Sequence, residues 1–249
     1  MGRSNFRAPP SEPGRPRSRS FLQHGLSGGS SGLSGSWFLL GRCPAHEGMP
    51  RFCVACIATN LLVMLVEFGV NGWRVEPLGS NWSVGVSAET LVGMGAKVTS
   101  RIVWRREWWR LLTASWLHGG LLHLALNLAL LWQLGAPLER AYGPWAVAPL
   151  YLISGVYGVV ASALLLPAVV SVGASASCFG LVGAFWGELA INYMATECSL
   201  RGTKVGMLVL FTLASLVSGI SPVVDNFMHL VGFLTGFLFA LVLQARIDR

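Results

Sequence analysis

The sequence predicts an all-α polytopic membrane protein, a bundle of six transmembrane helices with a long interfacial first loop, and three observations predict it. The 249-residue chain is 53% hydrophobic and only 12% charged, about half the charged share of an ordinary soluble domain. Its apolar residues gather into long, nearly charge-free runs, which a water-facing surface could not carry and a lipid-facing one requires. These runs recur six times, each long enough to cross a hydrocarbon core about 30 Å thick at a rise of 1.5 Å per residue.

Residues 1–51 precede the first run. They are rich in Ser, Gly, Pro and Arg, contain SGGSSGLSGS, and have too little periodic apolar content to offset the entropy of folding. The expectation is a disordered basic tail followed by a six-helix membrane domain over 52–249. The stretch WFLL at 37–40 is too short for the apolar core of a secretory signal. An organellar transit peptide stays open, since the tail is Arg- and Ser-rich with Glu12 and Glu47 its only acids. Position six of MGRSNF is not the Ser or Thr that myristoylation favours.

The expected spans are 52–70, 111–134, 146–166, 173–195, 204–220 and 224–244. With the amino terminus inside, twelve Lys and Arg fall on that side and six on the other, which favours both termini in the cytoplasm or its organellar equivalent. All six outer charges (Arg74, Lys97, Arg101, Arg105, Arg106 and Arg110) lie in the connection 71–110, beside Trp73, Trp82, Trp104, Trp108 and Trp109. Trp and Arg place apolar surface in lipid while their polar groups stay wet, so this connection is expected in the membrane interface.

A formal charge of +7 does not point to nucleic acid. No binding motif or exposed basic stripe accompanies it, and seven of the basic residues sit in the tail as topology determinants. The CxxC pair Cys53 and Cys56 lies inside a span with no neighbouring Cys or His cluster to complete a tetrahedral zinc site, and packs as ordinary apolar residues.

Polar groups inside a bilayer are expensive, so those that converge at one depth are candidates for function. Spans two, four and six enter from the same face, each carrying its distinctive polar residues in its first half. Span four opens with GASASCFGLVGA, in which Ser175 stands between small residues that leave its hydroxyl open; such spacing also serves helix packing. Span six contains DNFMHLVGFLTG, placing His229 ahead of Gly232 and Gly236, whose spacing permits close helix approach. Span two carries His123 and Asn127 four apart, on one helical face. A serine hydrolase needs a nucleophile, a base and preorganised donors for the oxyanion, and Ser175, His229 and the pair His123 and Asn127 can fill those roles.

These residues resemble the rhomboid family of intramembrane serine proteases from about Gly95 to Gly236. The resemblance rests on the pair Trp109 and Arg110, the run from His118 through His123 to Asn127, the GxS box of Gly173 and Ser175, and HxxGxxxG from His229. It implies a dyad in which Ser175 attacks the scissile carbonyl and His229 accepts and returns the proton. His123, Asn127 and the Ser175 backbone amide would stabilise the oxyanion. His118, Trp109 and Arg110 would be structural, and Phe179 would pack near the His229 ring. Ala176 departs from the glycine that many members carry after the nucleophile, and a methyl there would narrow the approach to the oxyanion. Asp225 shares a helical face with His229 but stands at the end of the span, where a solvated capping carboxylate is expected rather than a third catalytic member. Glu67 and Glu188 are read as packing hydrogen-bond groups or as lying near the inner surface.

The resemblance implies hydrolysis of peptide bonds in or beside transmembrane helices of single-pass membrane proteins, with no metal and no organic cofactor. A catalytically weak, client-binding relative is the alternative, and a transporter is disfavoured because no internal repeat is visible. The address is expected to be a multi-pass position in a secretory-pathway or cell-surface membrane, with an organellar inner membrane as the second choice.

Overall fold

The computed structural model describes residues 48–192, 202, 205–210, 212–213 and 225–247. The expected tail, up to residue 47, and most of the fifth run lie outside them. The described chain is helical, with one isolated antiparallel bridge between Lys97 and Ser171. Its helices are α1 (Arg51–Val70), α2 (Ala88–Met94), α3 (Thr99–Trp104), α4 (Arg110–Thr113), α5 (Leu121–Leu130), α6 (Ala136–Tyr142), α7 (Pro144–Leu165), α8 (Ser175–Asn192) and α9 (Asn226–Ile247). A π-helical turn, Leu131–Gly135, joins α5 to α6 into one continuous span. Among the described residues four helices are long and apolar enough to cross a membrane: α1, the joined α5 and α6, α7 and α9. The protein is thus an integral membrane protein built as a helical bundle.

The second span begins at Leu121 rather than at 111, and ends at Tyr142 rather than 134. The apolar letters continue through 111–117, but the chain there forms α4 and then a turn. The Leu121 and Leu122 N–H groups are taken by the Val84 and Ser83 carbonyls, at 3.0 and 3.2 Å, so the first turn of α5 is capped by the first loop.

Helix α8 is the centre of the bundle. Ala176, Cys178, Leu181, Val182, Ala184 and Phe185 are all at most 2% exposed, and α7 and α9 flank it. On α9 the faces divide. Leu230, Leu234, Leu238 and Val242 are about half exposed at four-residue spacing, a stripe suited to lipid. Gly232 is turned inward, and a Cβ there would lie 2.9 Å from the Ala176 carbonyl carbon; one at Gly236 would run into the Gly180 backbone. The two glycines let α9 lie backbone against backbone on α8, the geometry small residues confer on membrane helices. Cys53 and Cys56 are buried free thiols in the apolar core.

The amino end of α1 has no cap of its own. Glu139 of α6 supplies one, its carboxylate accepting the Phe52 and Cys53 N–H groups at 2.8 and 2.9 Å, where negative charge is favoured by the helix dipole. The first loop is held from within by Arg110, which is 1% exposed. Its guanidinium donates to the Val92 and Ala96 carbonyls at 2.8 and 2.9 Å, pairs with Glu107 and lies 4.7 Å over the Trp109 ring. Outside this anchor, Trp104 is 82% and Trp108 65% exposed. In liposomes, bromine placed high on the acyl chains is expected to quench tryptophan emission through these two rings. The variant carrying Trp104→Phe and Trp108→Phe should lose much of that quenching, and unchanged quenching would remove the segment from the interface.

Candidate active site

Ser175 is the first residue of α8. The N–H groups of a helix's first turn have no intrahelical acceptor and carry the positive end of the dipole, so the Ser175 amide stands where developing negative charge is stabilised. The approach to it is fixed by the Gly173 N–H, which donates to the Ala114 carbonyl at 2.9 Å. Gly173 has φ +127°, a conformation that residues with a Cβ rarely adopt. A methyl there would sit 2.7 and 2.9 Å from Cε1 and Nε2 of His123 and 3.7 Å from the Ser175 Oγ. The missing side chain therefore leaves open a space bordered by the serine hydroxyl and the His123 imidazole.

His229 lies one turn into α9 and is 9% exposed. Its Nε2 is 2.8 Å from the Ser175 Oγ, within the reach a general base requires. For Nε2 to accept the serine proton, the ring proton must sit on Nδ1, which meets no hydrogen-bond partner among the described residues. Phe179, one turn along α8 from Ser175, stacks on the imidazole at 4.2 Å and 13°, fixing the ring plane without supplying charge.

His123 and Asn127 stand four residues apart on α5, and His123 borders the space beside Gly173. The His123 Nδ1 accepts the Gly119 N–H at 3.4 Å. That contact favours the tautomer with the proton on Nε2, the atom beside Gly173, where it can donate. The Asn127 Nδ2 donates one proton to the His123 carbonyl at 3.0 Å; an amide nitrogen has a second to offer. His118 is fully buried just before α5, its N–H donating to the Glu67 Oε1 at 2.9 Å and its ring meeting His123 edge-on at 5.4 Å. Glu67 thus serves one packing hydrogen bond, near the carboxyl end of α1.

Ala176 is fully buried. Its methyl points at α7: a Cβ on Gly158 would come 2.5 Å from it. The methyl is thus directed into a notch between α7 and α8. Asp225 caps α9 as expected, accepting the Met228 N–H at 3.1 Å, but it is 7% exposed rather than solvated, and its second oxygen accepts from the Ser162 and Ser171 hydroxyls. Sequence reasoning also missed Asn81 and Ser83. The Ser83 Oγ accepts the His123 N–H at 3.0 Å, and Asn81 donates to the Gly119 carbonyl at 2.7 Å, so both brace the His123 helix. The polar letters of Asn81 and Ser83 around Trp82 were their only sequence signal.

The structure is a helical membrane bundle with a serine and a histidine in hydrogen-bond contact at the heads of two abutting helices, and comparison with known proteins gives its family. The rhomboid domain family model matches residues 105–246. The chain is 42% identical over 168 residues to RHOMBOID-like protein 7 of Arabidopsis thaliana, covering 68% of this chain and 53% of that protein. It is 36% identical over 200 residues to rhomboid protease GluP of Bacillus subtilis (strain 168), covering 80% of this chain and 36% of that one. It is also 36% identical over 163 residues to inactive RHOMBOID-like protein 8 of Arabidopsis thaliana, covering 64% of this chain and 45% of that one. The chain belongs to the rhomboid family. It spans about half the length of most of the curated relatives it matches.

Proposed function

We propose that the protein is an intramembrane serine endopeptidase that hydrolyses peptide bonds in or next to transmembrane helices of single-pass membrane proteins by a Ser175–His229 dyad. The observation that carries this reading is the 2.8 Å contact between the Ser175 Oγ and the His229 Nε2, made inside an apolar bundle where an idle polar pair would be costly. In the reaction, His229 takes the hydroxyl proton as Ser175 attacks the carbonyl, and then returns it to the leaving amine. Water completes the cycle by hydrolysing the acyl-enzyme, again with His229 as base. His123, Asn127 and the Ser175 amide are the donors to the oxyanion, which would occupy the space Gly173 leaves open. Intact helices hide their carbonyls in hydrogen bonds, so the preferred substrates unwind locally at small or helix-weakening residues.

The domain carrying this activity is residues 52–249, with 1–51 as a basic tail. We place it in a secretory-pathway or cell-surface membrane. Imaging of tagged full-length and tail-deleted forms tests that address against an organellar inner membrane.

The functional test is cleavage of a reporter with one transmembrane helix by reconstituted protein. Product from wild type, and none from Ser175→Ala, supports the peptidase. Equal reporter capture by both proteins, without product from either, supports the alternative of a client-binding protein, the reading that likeness to an inactive relative favours. Gly173→Ala is expected to lower the cleavage rate by about a hundredfold, because the methyl enters the oxyanion space and the positive φ becomes strained. Wild-type rates in that variant would remove Gly173 from the site.

A further inference from the structure

Four buried polar side chains gather around the two segments that lead into the dyad, and none of them takes part in the reaction just described. Lys97, Ser162, Ser171 and Asp225 are 0, 0, 6 and 7% exposed. They come from four segments of chain: the first loop, the end of α7, the loop leading to Ser175, and the residue that opens α9.

Asp225 is the hub. One carboxylate oxygen accepts the Met228 N–H at 3.1 Å and so caps the helix that carries His229. The other accepts the Ser171 hydroxyl at 2.8 Å and the Ser162 hydroxyl. Ser171 stands four residues before Ser175, as Asp225 stands four before His229. One carboxylate therefore ties the two lead-in segments of the dyad to each other.

Lys97 holds the same loop from the other side. Its Nζ donates to the Leu166 and Val169 carbonyls at 2.9 and 2.6 Å, and its backbone pairs with that of Ser171. Burial lowers the Lys97 pKa from the usual lysine range, and the nearby Asp225 carboxylate opposes that shift. A buried ammonium is costly unless its donors are met, and the two carbonyls meet them. A capping aspartate alone would need neither the serines nor the lysine, since an exposed side chain satisfies a helix end equally well.

We propose that Asp225 is a positioning residue that clamps the nucleophile's loop to the base's helix through Ser171 and Ser162, and thereby holds the Ser175 Oγ within hydrogen-bond reach of His229. The proposal rests on the serine hydrolase reading of the site.

The test is the rate at which a fluorophosphonate probe labels Ser175 in full-length protein in detergent, resolved into the saturating rate and the half-saturating concentration. Labelling forms an Oγ–P bond and expels fluoride while His229 takes the hydroxyl proton, so it reads the dyad without any membrane substrate. Asp225→Ala is expected to lower the saturating rate by about tenfold at unchanged half-saturation, as small misplacements of reacting groups do. In a Ser162→Ala, Ser171→Ala background the same change should cost little more, because the tie is already cut.

Wild-type labelling by Asp225→Ala, or an equal loss in both backgrounds, would overturn the clamp and leave a helix cap. If Asp225→Ala does not fold, Ser171→Ala and Asp225→Asn decide. The first should slow labelling, and the second, which keeps an acceptor for Met228 and a polar partner for both hydroxyls, should retain most of the rate; the reverse order overturns the proposal. Failure of folded wild type to label at all would defeat the hydrolase reading, and the clamp with it.

Discussion

Reconstituted Ser175→Ala protein is expected to cleave a single-helix reporter at least about a thousandfold more slowly than wild type, with His229→Ala equally impaired. The two side chains act as one unit through their 2.8 Å contact, so the double variant should be no slower than either single one. Neither change should unfold the protein. Ser175 opens α8, and alanine continues that helix without adding volume. His229→Ala removes the partner on which Phe179 stacks, and leaves a cavity that should lower the melting temperature modestly. The measurement is product formation against time for the three variants, beside a thermal melt of each. A double variant markedly slower than the singles would mean that the two residues contribute separately, which a dyad does not allow.

The second large effect is structural in origin. Gly232→Val would put a branched side chain where even a methyl lies 2.9 Å from the Ala176 carbonyl carbon and 3.0 Å from its Cα. Backbone cannot yield as a flexible side chain can, so α9 must move away from α8. Overpacking of this kind destabilises by about 1–3 kcal/mol or more. The displaced helix is the one that carries His229, three residues earlier. Activity should fall together with the melting temperature, whereas Gly232→Ala should show the same changes in weaker form. A folded, fully active Gly232→Val protein would mean that the two helices are not held by this contact.

Much of the site could be read from the chain because its residues are polar letters inside apolar runs, where each one stands out. Ser175, His229, His123 and Asn127 were visible in that way, and the structure brings Ser175 and His123 around one space beside Gly173, with His229 in contact with Ser175. The start of the second span was not legible. Residues 111–117 continue the apolar letters of the run, and what sets the start of α5 is a pair of hydrogen bonds to Ser83 and Val84, some forty residues earlier. The Asp225 environment was hidden for the same reason: its serine partners lie 54 and 63 residues away in sequence. The direction of the Ala176 methyl was beyond the sequence too, since it depends on which neighbouring helix carries a glycine at the crossing.

The π-helical turn at Leu131–Gly135 bears on how this fold accepts insertions and deletions. A π turn holds one more residue than a regular turn, so it offsets the register of everything after it by about 100°. Glu139 lies just beyond it and reaches the amino end of α1. Deleting one residue between 131 and 135 with a return to regular winding would remove that offset together with the extra residue, so Glu139 would still face Phe52 and Cys53. Length in this short segment is therefore under looser constraint than in a regular helix, and a one-residue deletion there should do less harm than one elsewhere in α5 or α6, where everything beyond it would rotate by about 100°.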